Sequence, residues 1–108
     1  MTDEASGFDY RRIDDVIHGR VRLAVMAYLS GAMAADFNEL KAHVGGTDGN
    51  LATHLRKLEE AGYIDVEKRF VGRKPQTILR MSPAGREAWI AYLKGLETML
   101  ALKPAGGE

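Results

Sequence analysis

One change of period constrains this chain more than any other feature. Up to Gly62, apolar residues recur at helical spacing, with Leu51, Leu55 and Leu58 at i, i+4 and i+7. Past Gly62, Ile64, Val66, Lys68 and Phe70 alternate with Asp65, Glu67 and Arg69. The first pattern buries one face of a helix, and the second belongs to a strand. Gly72-Arg73-Lys74-Pro75 is turn chemistry, and Thr77–Met81 reads as the returning strand. A helix therefore feeds directly into a β-hairpin, with a connecting loop expected at about six residues.

The helix before the hairpin has a partner. Asp36 is placed to cap a helix carrying Phe37, Leu40, Lys41 and Val44, with Glu39 three residues on in a relaxed capping box. Gly45-Gly46 ends it after about two turns. Thr47 then caps a new helix, with Asp48 in its first turn where the dipole favours negative charge. Two helices joined by a tight glycine turn make a helix-turn-helix candidate.

The flanks are also helical. A first helix is expected from Phe8–Tyr10 onward, carrying Ile13, Val16 and Ile17, with Gly19 breaking or kinking it. Arg20–Ser30 resumes as a central helix, apolar over more than half its circumference, with Gly31 as its C-cap. Ser82-Pro83 starts the last helix, which carries Trp89, Leu93, Leu96 and Leu100 on one stripe and ends near Lys103-Pro104. The expected fold class is mainly α with a small β-hairpin, in the order helix, helix, helix, hairpin, helix. The 108 residues make one domain over 8–103, with tails at 1–7 and 104–108.

Composition narrows the function. The chain has no cysteine, which excludes disulfide scaffolds, thiolate metal sites and cysteine nucleophiles. No two of His18, His43 and His54 stand at metal-ligand spacing from one another. No nucleophile elbow, P-loop or dinucleotide fingerprint is present. No apolar run is long enough to span a bilayer, and the acidic, polar Met1–Gly7 is not a leader. The expectation is a cytoplasmic protein that is not an enzyme, contacts no membrane, and needs neither cofactor nor metal.

The 15 basic residues balance the 15 acidic ones, yet they are not evenly spread. Met1–Gly46 holds 5 basic and 7 acidic residues, and Thr47–Met81 holds 7 basic and 5 acidic. Lys68, Arg69, Arg73, Lys74 and Arg80 sit in a stretch free of acids. Such a run is either a solvated hairpin or a patch for a polyanion. Taking the Leu51/Leu55/Leu58 stripe as inward, Gly49, Asn50, Thr53, Arg56 and Lys57 lie on the outward half, with His54 on the flank. Asn50 has the geometry to pair with adenine, and Arg56 or Lys57 to reach guanine or phosphate. Thr47, Gly49 and the first-turn amides suit a phosphate. Arg73, Lys74 and Gln76 at the hairpin tip, with Arg69 at its base, suit phosphates or a minor groove. The same side chains also serve as ordinary solvated surface, and His54 equally as a packing residue.

The run Thr47–Ile64 resembles the recognition helix and first wing strand of small bacterial and archaeal winged helix-turn-helix regulators of the MarR-like and ArsR-like kinds. Gly72–Thr77 is similar to their wing, and Ser82–Arg86 to the start of their last helix. The resemblance implies a sequence-specific double-stranded DNA-binding transcriptional regulator. ArsR-like metal sensing uses cysteines, or histidines and carboxylates on the last helix. This chain has no cysteine, and Ser82–Leu102 holds no histidine. A core this small leaves the terminal helices with surplus apolar surface, so Ile13, Val16, Ile17, Trp89, Leu93, Leu96 and Leu100 are expected at a homodimer interface. A protein-interaction module and a regulator gated by a small-molecule effector are the alternatives.

Overall fold

A computed structural model of the protein describes residues 9–101, so the two expected tails and the helix end near Lys103 lie outside the described residues. The order is a short 3₁₀ turn at Tyr10–Arg12, α1 at Arg20–Ala32, β1 at Ala34–Asp36, α2 at Phe37–Val44 and α3 at Asp48–Glu60. Then come β2 at Ile64–Val71, β3 at Lys74–Met81 and α4 at Pro83–Ala101. The strands form one antiparallel sheet in the order β1-β3-β2. The expected succession of three helices, hairpin and helix holds.

The helix-turn-helix is built by its caps. The Asp36 carboxylate accepts from the Glu39 amide at 2.7 Å. Thr47 Oγ1 accepts from the Asn50 amide at 3.1 Å. Between them Gly45 and Gly46 sit at φ +86° and +84°, where a side chain is strained, which is why the sequence spends two glycines there. Lys41 Nζ reaches Asp48 Oδ1 at 2.7 Å and ties the end of α2 to the start of α3. The inward stripe is as expected: Leu40, Leu51 and Leu58 are fully buried with Val25, Met26, Leu29 and Leu79.

Four local expectations fail. The segment before Gly19 is not an α-helix. Asp14 Oδ1 accepts from the amides of Val16 (2.8 Å) and Ile17 (3.2 Å), so a side chain takes the donors that a helix would have used. Gly31 is not the C-cap of α1. The helix continues to Ala32, and Met33 turns the chain at φ +73°. A third strand, β1, pairs Ala35 with Leu79 and Asp36 with Ile78. Finally, the hairpin connection is a two-residue turn, Gly72-Arg73, not a loop of about six residues. Gly72 at φ +65° supplies the first position of a II′-type turn. Pro75 does not end β3, because it faces Phe70. In a two-residue hairpin that second pair exchanges no backbone hydrogen bonds, so the missing N–H costs nothing.

Candidate nucleic-acid interface

The Leu stripe of α3 fixes what its other side presents. Gly49, Asn50, Thr53, Arg56 and Lys57 are all exposed, as the helical arithmetic requires. The Asn50 side-chain carboxamide makes no hydrogen bond among the described residues, which leaves both its donor and its acceptor available. Thr53 donates its hydroxyl proton to the Gly49 carbonyl at 2.9 Å, so it offers an acceptor and a methyl group outward. Thr47, expected as a phosphate contact, already uses its oxygen as the cap of α3.

His54 is placed differently. Arg22 of α1 donates from Nη1 to His54 Nδ1 at 2.9 Å, and from Nε to the Val16 carbonyl at 2.5 Å. Burial, then the Arg22 and Lys57 cations, hold the imidazole below its usual pKa. A guanidinium cannot accept, so the pairing assigns the neutral ring its proton on Nε2. His54 therefore joins α3 to α1 and the loop before it. Arg22 is the partner that sequence spacing could not identify.

The wing has two unlike faces. Strand alternation puts Val66, Lys68 and Phe70 on the side of α3, paired with Leu79, Thr77 and Pro75. A cleft of about 240 Å³ between the elements is lined by Leu55 and Arg56 of α3 and by Val66, Lys68 and Thr77 of the sheet. The outer face carries a polar ladder across all three strands. Gln76 Nε2 donates to Asp36 Oδ2 at 3.3 Å, and Arg69 Nε donates to Gln76 Oε1 at 3.1 Å. Glu67 lies 3.8 Å from Arg69 and accepts from Arg80 Nη1 at 2.9 Å, which holds its carboxyl below the usual range. Arg69 and Gln76 are thus engaged within the sheet. Arg73 and Lys74 stand exposed at the tip, and neither is paired with a carboxylate among the described residues.

The residues expected at a subunit interface divide into two groups. Ile17 is fully buried and Trp89 nearly so, both in the protomer's own core. Ile13, Val16 and Leu96 are half-buried, packed against that core. Leu93 and Leu100 stand out on α4, at 44% and 82% exposure, with Ile90 beside them at 48%. Polar contacts tie the middle of α4 and the start of β2 to the segment before α1. Tyr92 Oη meets His18 Nδ1 at 2.8 Å, and Tyr63, just before β2, bonds to Asp14 Oδ2 at 2.5 Å. That carboxylate pushes the Tyr63 phenol up to about 12.

Among the described residues no group of histidines and carboxylates could hold a metal ion, and no helix is long and apolar enough to cross a membrane.

Comparison with known proteins agrees with this geometry. Residues 21–100 match the family described as winged helix DNA-binding domain. An uncharacterized protein of Methanocaldococcus jannaschii is 36% identical over 78 residues, which are 72% of this chain and 85% of that protein. The structure of a transcriptional regulator homologue from Pyrococcus horikoshii is similar at a TM-score of 0.74 and 28% identity, over 79% of this chain and 84% of that one. The crystal structure of MarR is similar at a TM-score of 0.72 and 25% identity, over 86% of this chain and 67% of that one. Those solved proteins are transcriptional regulators, not enzymes. With the capped helix-turn-helix, the hairpin wing and these relatives in agreement, the chain belongs to the winged helix DNA-binding domain family and is a transcriptional regulator of the MarR type.

Proposed function

We propose that the chain binds specific duplex DNA sequences as a homodimer, with α3 in the major groove and the wing tip on phosphates or the adjacent minor groove. One observation carries this reading. Asn50, Arg56, Lys57, Arg73 and Lys74 stand exposed with no carboxylate partner among the described residues, whereas Asp36, Asp48 and Glu67 are each engaged. The charge freed by that arrangement faces outward at two places a hairpin apart. Asn50 is suited to an adenine edge, Thr53 to a base amino group or a thymine methyl, and Arg56 or Lys57 to guanine or phosphate.

The exposed Ile90, Leu93 and Leu100 support pairing through α4. A two-fold dimer would present two α3 helices to half-sites about one helical turn apart, and so favours a near-palindromic operator.

The test is a fluorescence-anisotropy titration of a mixed-sequence duplex at several salt concentrations, wild type beside an Arg73→Glu/Lys74→Glu variant. With about three phosphate contacts per subunit, log K should fall with log salt at a slope near −5. The variant should keep its fold and lose most of the affinity. Wild-type protein that binds no duplex at low salt would overturn the reading in favour of a protein-interaction module.

A further inference from the structure

Phe70 is the largest side chain of the wing, and it is 72% exposed. Its register explains where it points. Phe70 follows Val66 and Lys68 on the face of the sheet turned toward α3, two pairs beyond Lys68↔Thr77 and two residues from the turn. Pro75 stands directly across from it, so a ring and a pyrrolidine form an apolar ridge at the tip. Val71, on the other face, is also exposed at 59%. The core lies at the opposite end of the hairpin, where Ile64 and Leu79 are buried, so among the described residues Phe70 has no fold-stabilising pocket to enter.

The surroundings of that ridge are cationic. Lys68 lies two residues away on the same face, Arg73 and Lys74 form the turn side, and Arg56 of α3 lines the cleft shared with Lys68. The nearest wing carboxylate, Glu67, is on the other face and occupied by Arg80. An apolar edge bracketed by unpaired cations complements a surface with anionic rails and an apolar floor. The minor groove of duplex DNA has that form, with phosphates on both sides and sugars and base steps between them.

We propose that Phe70 is an apolar wedge that enters the minor groove beside the major-groove site of α3 and partly unstacks a base step there. This rests on the DNA-binding reading above and adds a specificity element to it. A wedge acts through deformability, so it favours pyrimidine–purine steps, which unstack easily, over stiff A-tracts. Arg73 and Lys74 supply salt-dependent affinity, while Phe70 supplies a preference among sequences that does not depend on salt.

The experiment uses two fluorescein-labelled duplexes of equal length, one with central TA steps and one with a central A-tract. A second copy of each carries 2-aminopurine at the central step, which brightens when unstacked. Wild-type protein should bind the TA duplex more tightly and raise its 2-aminopurine fluorescence. Phe70→Ala should lose at least about tenfold in affinity for the TA duplex, the size of one lost aromatic–base contact. It should also lose the fluorescence rise and the preference between duplexes, while keeping the wild-type salt slope. Phe70→Leu should retain much of both signals, because leucine also serves as a wedge. Both variants should melt with the wild type, since the residue is exposed. Phe70→Ala that matches wild type in affinity and in 2-aminopurine signal would overturn the wedge and leave DNA binding standing. Absence of wild-type binding to either duplex at low salt would instead remove the DNA-binding reading itself.

Discussion

A β-carbon on Gly85 would stand 1.9 Å from the carbonyl oxygen of Tyr63. The first turn of α4 is laid directly on the backbone that enters β2, and Ser82 holds it there. The Ser82 amide donates to the Tyr63 carbonyl at 3.0 Å, and its hydroxyl donates to the Gly62 carbonyl at 2.5 Å. The same oxygen accepts from the Gly85 amide at 2.9 Å. The obstructing atom is backbone and cannot swing aside. Gly85→Ala should therefore cost about 3 kcal/mol, the upper end of overpacking effects, or prevent folding. Chemical denaturation measures it. A variant within about 0.5 kcal/mol of wild type would mean that α4 is free to lift away from Tyr63.

Gly31 and Met33 hold each other's natural places. Gly31 sits inside the last turn of α1, where an added Cβ meets nothing within 4 Å. Met33 adopts φ +73°, a conformation that suits glycine, and its side chain is 73% exposed. Gly31→Ala should stabilise by up to about 1 kcal/mol through helix propensity. Met33→Gly should gain a similar amount by relieving the left-handed backbone. Thermal melts of the two single variants and the double variant check this. Loss of stability in Gly31→Ala would count against the assigned end of α1.

What the sequence revealed and what it hid follow one division. Thr47, Asp36 and Ser82 act on amides three residues away, so their capping roles could be read locally. The Leu51/Leu55/Leu58 stripe is equally local, and it located the outward face of α3. The misses depend on distant partners or on local competition. Ala34-Ala35-Asp36 shows no strand pattern and becomes β1 only because Leu79 and Ile78 lie alongside. His54 reads from sequence equally as a groove contact and as a packing residue, because its partner Arg22 lies 32 positions earlier. Asp14 ended the expected first helix by capturing amides that Ile13, Val16 and Ile17 seemed to commit to one. Pro75 read as loop because its tolerance inside β3 depends on register, which periodicity does not specify.

His54 predicts a pH dependence. Its folded pKa is lowered, so the fold favours the neutral ring. Such a group contributes stability above its unfolded pKa of about 6.5, and that contribution is lost as pH falls from there through the folded value. A protonated ring would face the Arg22 and Lys57 cations and could no longer accept from Arg22. Wild-type stability should therefore decline over the interval that opens below about pH 6.5, above the range in which the paired carboxylate of Glu67 titrates. His54→Gln keeps an acceptor for Arg22 without a titrating ring, and should flatten this decline. Denaturant midpoints for both proteins across that interval decide it, and parallel declines would show that another group is responsible.

Leu93 and Leu100 expose apolar surface that the described residues leave uncovered, while the core takes Trp89 and Tyr92 from the same helix. Burial of Leu93 and its neighbours on two copies of α4 would remove that surface from water, at about 25 cal/mol for each Å². The expected solution mass is about 24 kDa, twice the 11.9 kDa chain. Leu93→Asp/Leu100→Asp places charge on that surface without touching a buried residue, so the fold should survive and the mass should drop to that of one chain. If DNA is bound by two α3 helices at once, the same variant should also lose most of its duplex affinity, because each half alone has only its own contacts. Light scattering and anisotropy on the same samples separate the possibilities. Wild-type protein that is monomeric at micromolar concentration would remove α4 as the pairing surface. A monomeric variant with undiminished affinity would show that a single α3 and wing suffice for DNA.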